Sequence, residues 1–384
     1  MENLLNKNVR NIEISGIRKF YNMVSKYDNV ISLTIGQPDF NTPNHIKEAA
    51  KTALENNKTI YTHNAGIIEL RRAISNFVQK KYNLYYNPDD EIIVTCGASE
   101  GIFITLKTIL DIGDEVLIPA PCYPGYEPVV KLCGAKVKYI DTSNTNFKLT
   151  KKLLEDNICS STKCIIIPYP SNPTGQCLNL DELNEIADFI QDKNIFILSD
   201  EIYSELIYEE RHNSIAALNN LKDKTIVING LSKSHSMTGF RIGYTLSPRY
   251  ITKHMIKVHQ YLNTCATSIS QYAALEALTN GIDDSITMKN EYKKRRDYVY
   301  ERLIKMGFDV VRPKGTFYMF PNIKKYSNNS FNFALSLLEN EKVAVVPGSA
   351  FSQYGEGHIR ISFAYSMDEL KLALDRLEKF ISTL

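Results

Sequence analysis

Short apolar segments alternate with helical patterns through the middle of this 384-residue chain, and this alternation restricts the fold more than any other feature. Strands that are apolar throughout and joined by helical crossovers form mainly parallel sheets with helices on both faces. The sequence therefore predicts an α/β fold in which a large domain has a mainly parallel seven-stranded sheet between helices. The candidate strands are 91–95, 115–119, 136–140, 164–168, 195–199, 225–228 and 243–246.

The pattern changes after about residue 284. A long helical pattern begins there, with Asp284 as a candidate N-cap, and it extends to residue 306. Three short candidate strands and a final helix follow, which predicts a smaller α+β domain, and the N-terminal stretch is expected to pack with it. We therefore expect a large domain at 46–284 and a small domain, formed by 1–45 and 285–384, that closes over the active site. The short strands lie around 315–320, 343–346 and 359–363.

Composition argues against several classes of function. The net charge is +2, from 45 basic and 43 acidic residues, so no strong field attracts nucleic acid or an anionic membrane. The seven cysteines are scattered and form no Cys-x-x-Cys pair, a pattern typical of reduced thiols rather than disulfides or a metal site. No secretory signal is visible, and no apolar run approaches the ~20 residues that span a bilayer. We expect a soluble cytoplasmic protein with no metal.

Polar segments follow five of the candidate strands, and ligands of parallel sheets bind beyond the carboxyl ends of the strands. One of these segments, Ser232-Lys233, comes shortly after the β-branched stretch 225–228. A lysine at a strand end among small hydroxylated residues can condense with an aldehyde and act as a covalent catalyst. A surface lysine in a polar loop is the alternative interpretation. The other segments are 97–99, 120–123, 171–175 and 200–203.

The same segments contain groups that could hold a phosphate, which needs backbone N–H groups at a helix N-terminus and a cation. The segment Gly97-Ala98-Ser99 opens the helix after the first strand of the predicted sheet. Ser232 and Arg241 could add a hydroxyl and a guanidinium. An ordinary connection between a strand and a helix explains the glycine-containing segment equally well when it is taken alone.

A pyridine ring needs a buried carboxylate beside its nitrogen, which keeps the nitrogen protonated and the ring electron-withdrawing. Asp200 follows the apolar run 195–198 after a single serine, so it lies at a strand end, where an unpaired charge is costly. A helix N-cap is the alternative role. Tyr203 and Asn172 could hydrogen-bond a ring hydroxyl, and Tyr123 could stack on the ring. These residue types favour a cofactor with an aldehyde, a phosphate and a pyridine ring.

These motifs resemble, in their order and spacing, those of a known family. The resemblance is to the pyridoxal-phosphate aminotransferases of fold type I, class I/II, and it extends from about residue 31 to residue 363. It implies that pyridoxal 5′-phosphate is bound to Lys233 and that an amino group moves by a ping-pong mechanism from an amino acid to a 2-oxo acid, 2-oxoglutarate in most of the family. The motifs are Asn172-Pro173-Thr174-Gly175, Asp200-x-x-Tyr203, Ser232-Lys233 and Met237-Thr238-Gly239-Phe240-Arg241.

The resemblance also implies roles for residues that pattern alone would not select. Arg360 matches the arginine that binds the substrate α-carboxylate, and Gly36 matches the glycine whose backbone approaches the same group. Asn172 is implied to contact the substrate as well as the cofactor. Tyr61 matches the tyrosine that reaches the phosphate of the neighbouring subunit, which implies a homodimer with shared active sites.

The sequence indicates the type of reaction more narrowly than it indicates the substrate. Segments 119–128 and 132–135 look like the branch that includes bacterial N-acetyl-L,L-diaminopimelate aminotransferases and aminotransferase A, and the former make a lysine and cell-wall precursor. Lys107 could bind a side-chain carboxylate of a dicarboxylic substrate, although a solvated helix lysine explains it better. An aspartate or aromatic amino acid aminotransferase and a pyridoxal-phosphate C–S β-lyase share most of these residues and stay open as alternatives.

Overall fold

The structure is a computed structural model that describes every residue from Met1 to Leu384. It contains a large sheet, two small sheets and helices packed around them. The twelve strands, β1 to β12 in chain order, are Ile31–Ser32, Ile92–Thr95, Glu115–Ala120, Lys136–Asp141, Thr162–Ile167, Phe196–Asp200, Thr225–Gly230, Gly243–Leu246, Tyr318–Met319, Val343–Ala344, Val346–Pro347 and Ile359–Ser362.

Seven of these strands form the large sheet, in the order β2-β8-β7-β6-β5-β3-β4. The strands from β7 to β4 in this order are all parallel, and β8 runs antiparallel to both of its neighbours. The predicted α/β class and mainly parallel seven-stranded sheet are therefore confirmed. Each predicted strand agrees with an observed one to within about two residues at either end.

Five of the thirteen α-helices begin after a residue whose side chain accepts a hydrogen bond from an N–H group of the first turn. Two of them start with a capping box, formed by Asn179 with Glu182 and by Ser366 with Glu369. No helix is both long enough and apolar enough to cross a membrane. The thirteen α-helices, α1 to α13, are Lys7–Arg10, Gly16–Val24, Asn44–Glu55, Ile68–Tyr82, Ala98–Ile109, Tyr126–Leu132, Lys151–Asn157, Leu180–Ile190, Arg249–Asn263, Ser268–Thr279, Ser285–Lys305, Ser330–Glu341 and Met367–Ile381.

Helices cover both faces of the large sheet. Side chains along β5 alternate between the faces, as the pleat of a strand requires. Cys164 and Ile166 pack into a core with residues of α5, α6 and α9. Ile165 and Ile167 pack into a separate core with α7 and α8. Burial on both faces explains why these strands are apolar throughout, and it leaves the strand ends as the place for polar side chains.

The first and last parts of the chain share a further core of their own, and the smaller α+β unit expected from the sequence is confirmed. β1 pairs in parallel with β10, and β9, β12 and β11 form a three-stranded antiparallel sheet. Phe20 and Leu33 are buried in one cluster with residues of α11, α12 and α13. Ile46, in contrast, packs with α4 and α10 against the large sheet.

Candidate active site

A cavity of about 490 Å³ lies at the carboxyl edge of the large sheet. β6 ends in Asp200, and Lys233 follows the end of β7 by three residues, so neighbouring parallel strands place both side chains in the same region. The cavity brings together eleven of the predicted site residues. They are Gly36, Ala98, Ser99, Tyr123, Asn172, Asp200, Tyr203, Ser232, Lys233, Arg241 and Arg360.

The amine of Lys233 lies inside this cavity and donates a hydrogen bond to the carbonyl oxygen of Gly36, with an Nζ to O distance of 2.5 Å. Burial, and then the positive charges of Arg360 and Arg241, lower the pKa of Lys233 from 10.5 to about 8. The carboxylate of Asp200 opposes this change but does not reverse it. A much larger fraction of the amine is therefore neutral near pH 8 than for a surface lysine, and the neutral amine is the nucleophile and base.

Asp200 is buried at the end of β6 and accepts two hydrogen bonds. The Tyr126 hydroxyl donates to Oδ2 at 2.6 Å, and the backbone N–H of Ile202 donates to Oδ1 at 3.2 Å. Burial raises the pKa of the Asp200 carboxyl, and the two hydrogen bonds act against this change. The hydrogen bonds favour the charged form, so the site offers a carboxylate to a cationic group in the cavity.

The N-terminal turn of α5 and the side chain of Arg241 form an anion site. Gly97 precedes the helix with a φ of 77°, a conformation that favours glycine. A Cβ atom at Gly97 would lie 2.5 Å from Nη2 of Arg241, so the guanidinium is packed directly against this turn. Ser232 is buried beside them. Free N–H groups of a first turn together with a guanidinium are the groups that bind phosphate.

Arg360 lies in β12 and also lines the cavity, and only 1% of its surface is exposed. Its Nη1 donates to Oδ1 of Asn172 at 2.9 Å, and its Nη2 donates to the carbonyl oxygen of Thr34 at 2.6 Å. Its Nε has no hydrogen-bond partner, although it is fully buried. Burial lowers the pKa of this guanidinium. A buried donor without a partner is costly, so the site is built to receive an acceptor at Arg360.

Two tyrosines outside the predicted set complete the site. Tyr126 supports Asp200 as described above, and the Tyr318 hydroxyl lies 2.8 Å from the hydroxyl of Tyr203. The Tyr318 ring also lies 4.3 Å from the guanidinium of Arg360. Tyr318 belongs to the apolar run 317–320, which pattern alone assigns to the core, and no neighbouring residue in the sequence indicates contact with two polar site residues.

Three predicted residues do not line the cavity. Gly97 lies close to the guanidinium of Arg241, which does line the cavity. Tyr61 is 82% exposed and lies outside the cavity formed by this chain. Lys107 is exposed in the last turn of α5, also outside the cavity, which agrees with the interpretation as a solvated helix lysine.

Comparison with known proteins identifies the family. The sequence profile described as "Aminotransferase class I and II" matches residues 28–377, which is most of the chain. This chain belongs to the class I and II aminotransferases. The motifs that suggested this family all fall within the matched range, and so do all eleven predicted residues that line the cavity.

The chain is 58% identical over 381 residues to the probable N-acetyl-LL-diaminopimelate aminotransferase of Bacillus subtilis. The aligned residues cover 99% of this chain and 96% of the relative. The aromatic aminotransferase from Pyrococcus horikoshii has a TM-score of 0.90 and 40% identity, covering 95% of this chain and 99% of that structure. The aspartate aminotransferase from Thermus thermophilus, solved with maleate, has a TM-score of 0.93 and 34% identity. This match covers 98% of this chain and 99% of that structure. The enzyme is therefore an aminotransferase of fold type I.

Proposed function

We propose that this aminotransferase binds pyridoxal 5′-phosphate through Lys233 and transfers an amino group from an amino acid to 2-oxoglutarate by a ping-pong mechanism. The observation that supports this proposal best is the position of the Lys233 amine. With a pKa of about 8, it lies in one cavity with a buried carboxylate and two guanidinium groups, those of Asp200, Arg241 and Arg360. A neutral amine can react with the aldehyde of such a cofactor. The two guanidinium groups can bind a phosphate and a carboxylate, and the carboxylate of the protein can bind a protonated ring nitrogen.

The residues present fit this cofactor. The anion site at Arg241 and the start of α5 would hold the phosphate, with Ser232 as a further donor. The buried Asp200 carboxylate would hold the ring nitrogen in its protonated form. Tyr203 and Asn172 would hydrogen-bond the ring hydroxyl, and both line the cavity. The proposed stacking residue is Tyr123, whose ring packs edge-on against that of Tyr126 with a centroid separation of 5.4 Å.

The proposed chemistry uses few residues. When bound, pyridoxal phosphate supplies a carbon that takes up the amino group and a ring that withdraws electrons from the substrate α-carbon. Lys233 then removes the proton from the substrate α-carbon through its neutral Nζ, because burial and the nearby guanidinium groups disfavour the charged ammonium. Arg360 holds the substrate α-carboxylate, to which its unpartnered Nε and one terminal nitrogen can donate as a bidentate pair. Gly36 and Asn172 line the same cavity, and Asn172 accepts a hydrogen bond from Arg360.

The proposed amino donor is N-acetyl-L,L-diaminopimelate, which would place the enzyme in the synthesis of a lysine and cell-wall precursor. The 58% identity over almost the whole chain to the probable N-acetyl-LL-diaminopimelate aminotransferase supports this choice. Aspartate and aromatic amino acids are the second candidates, because the two solved relatives described above carry those activities in their names.

A donor screen tests this proposal. The purified enzyme is supplied with 2-oxoglutarate and, in turn, with N-acetyl-L,L-diaminopimelate, aspartate and an aromatic amino acid, and the formation of glutamate is measured. We expect the highest kcat/KM with N-acetyl-L,L-diaminopimelate and no glutamate from any donor with the Lys233→Ala variant. A strong preference for aromatic donors would refute the proposed donor. Turnover by Lys233→Ala would refute the role of this lysine.

We also propose that the enzyme is a cytoplasmic homodimer in which Tyr61 of each chain reaches the site of its partner. The 82% exposure of Tyr61 and the 77% exposure of the neighbouring Ile60 support this, because such apolar surface is typical of an interface. All seven cysteines are free thiols, which fits the reducing cytoplasm. We further propose that residues 46–284 form the large domain and that 1–45 with 285–384 form the small domain that closes over the site.

A further inference from the structure

We infer that Arg18 binds the distal carboxylate of dicarboxylic substrates, including that of 2-oxoglutarate. The inference rests on the proposed function, because it assigns the part of the substrate that projects away from the reacting carbon. Arg18 lies in the first turn of α2 and lines the cavity, although no sequence motif indicated it. It therefore supplies a positive charge that the roles proposed so far do not use.

The side chains that line the cavity include more cationic than anionic groups. Four cationic side chains and one carboxylate face it, those of Arg18, Lys233, Arg241, Arg360 and Asp200. Under the proposed function, Lys233 carries out the chemistry, Arg241 holds the phosphate, and Arg360 holds the α-carboxylate. Arg18 remains, so the cavity can accept one more anionic group. A substrate with a second carboxylate supplies this group, whereas a substrate with an apolar side chain does not.

No group of the protein neutralises Arg18. Its guanidinium forms no ion pair, and its nearest described partner is the ring of Tyr21 in the same helix, at 5.9 Å. The adjacent Lys19, in contrast, pairs with Glu13 at 2.7 Å. The first turn of α2 also contains no acidic residue, so the helix dipole adds positive potential at the position of Arg18. This arrangement raises the local affinity for an anion from solution.

The turn that carries Arg18 is fixed in position. Ile17 packs against a small core that includes Val346 and Phe351. A Cβ atom at Gly16 would lie only 3.0 Å from Ala350, so the helix backbone lies close against the same segment. Phe351 in turn lies 5.0 Å from the guanidinium of Arg360. Both arginines are therefore positioned by one apolar cluster, which favours simultaneous binding of the two ends of a dicarboxylate.

Lys107, the cation that the sequence offered for this role, is exposed at the far end of α5 and does not line the cavity. Arg18 replaces it as the candidate. The guanidinium is also the better group for the purpose, because it can bind a carboxylate through two parallel hydrogen bonds.

The test compares Arg18→Gln with Lys19→Gln, which removes the same charge from the next position of the same helix but does not face the cavity. Each variant and the wild type are assayed with 2-oxoglutarate and with 2-oxopentanoate, which has the same chain length and no distal carboxylate. We expect Arg18→Gln to lower kcat/KM for 2-oxoglutarate by about 10-fold or more and to leave that for 2-oxopentanoate nearly unchanged. Lys19→Gln should resemble the wild type with both acids.

A binding measurement separates the role of Arg18 from catalysis. Glutarate, an unreactive dicarboxylate, should bind the wild-type holoenzyme more tightly than pentanoate in calorimetry, and Arg18→Gln should remove most of this difference. An unchanged preference for dicarboxylates in Arg18→Gln would overturn the inference while leaving the proposed transamination intact. If the wild type transferred amino groups to monocarboxylic acids alone, the inference would also fail. Absence of transfer to any 2-oxo acid would instead refute the proposed function.

Discussion

The protonation of Lys233 links the chemistry of the site to the stability of the protein. Its pKa is about 8 in the folded chain, whereas a lysine in an unfolded chain keeps its proton up to about 10.5. Between these two pH values the unfolded state binds more protons than the folded state. Stability therefore rises with pH in this window, because the unfavourable buried charge is lost. The same property that makes the amine reactive makes its charged form costly.

We predict that the unfolding free energy of the cofactor-free wild type, relative to Lys233→Met, increases by up to about 3 kcal/mol as the pH rises from about 8 to 10.5. Methionine has a similar length and no titrating proton, so other titrations cancel in the difference. Urea denaturation of both proteins at pH values on either side of this window provides the measurement. A difference that does not change with pH would show that the amine has an ordinary pKa.

Packing between helices positions the turn that is proposed to bind the phosphate. His259 of α9 is fully buried, and its Nδ1 lies 2.7 Å from Oε1 of Glu100 in the first turn of α5. Its Nε2 donates to the carbonyl oxygen of Asn64 at 2.8 Å, in the loop that follows Tyr61. The second oxygen of Glu100 accepts the backbone N–H of Cys96. One buried pair thus connects α9, the start of α5 and the loop that is proposed to reach the partner subunit.

We predict that His259→Ala destabilises the protein by about 3 kcal/mol or more, because it leaves the Glu100 carboxylate buried without its partner. The double variant with Glu100→Gln should be less destabilised than the sum of the two single variants, since no unpaired charge then remains. Urea denaturation of the four proteins completes the cycle. Simple additivity would indicate that the two side chains do not interact.

At the scale of the whole molecule, the site of one chain does not contain the residue expected from a second. Tyr61 does not line the cavity of its own chain, and Ile60 and Tyr261 are likewise large apolar side chains that are exposed. A dimer with shared sites accounts for the exposure of Tyr61 and for its match to a phosphate-binding position. In such a dimer, a chain with a substituted Lys233 and a chain with a substituted Tyr61 would together form one complete site.

We predict that Lys233→Ala and Tyr61→Ala chains complement one another when they are refolded together at a cofactor concentration too low to saturate Tyr61→Ala. About half of the dimers should then be hybrids with one intact site, which gives about one quarter of the wild-type activity. The measurement is glutamate formation before and after mixing. Activity equal to the average of the separate variants would argue against sites shared between chains.

Local sequence patterns were sufficient to predict much of the fold and many of the residues that line the cavity. Apolar runs between helical patterns predict a parallel sheet, and a parallel sheet places the ends of its strands at one edge. Asp200 and Lys233 could therefore be assigned to one site, because Asp200 ends one strand and Lys233 follows the next strand by three residues. Family motifs added Arg360 and Gly36, which no local pattern selects. The chemistry of the enzyme is thus contained in short segments that each strand presents independently.

Tertiary structure alone decided which charges surround the Lys233 amine and which other side chains line the same cavity. Arg18 and Tyr318 reach the cavity from elements that are distant in the chain, and Tyr318 meets Tyr203 across 115 residues. Lys107 has a similar charge and lies outside. Burial and electrostatic energy depend on distance in space, which no periodicity in the sequence records. The sequence therefore determined the sheet and the place of Lys233 after a strand, whereas only the folded chain determined the pKa of that lysine and brought Arg18 to the same cavity.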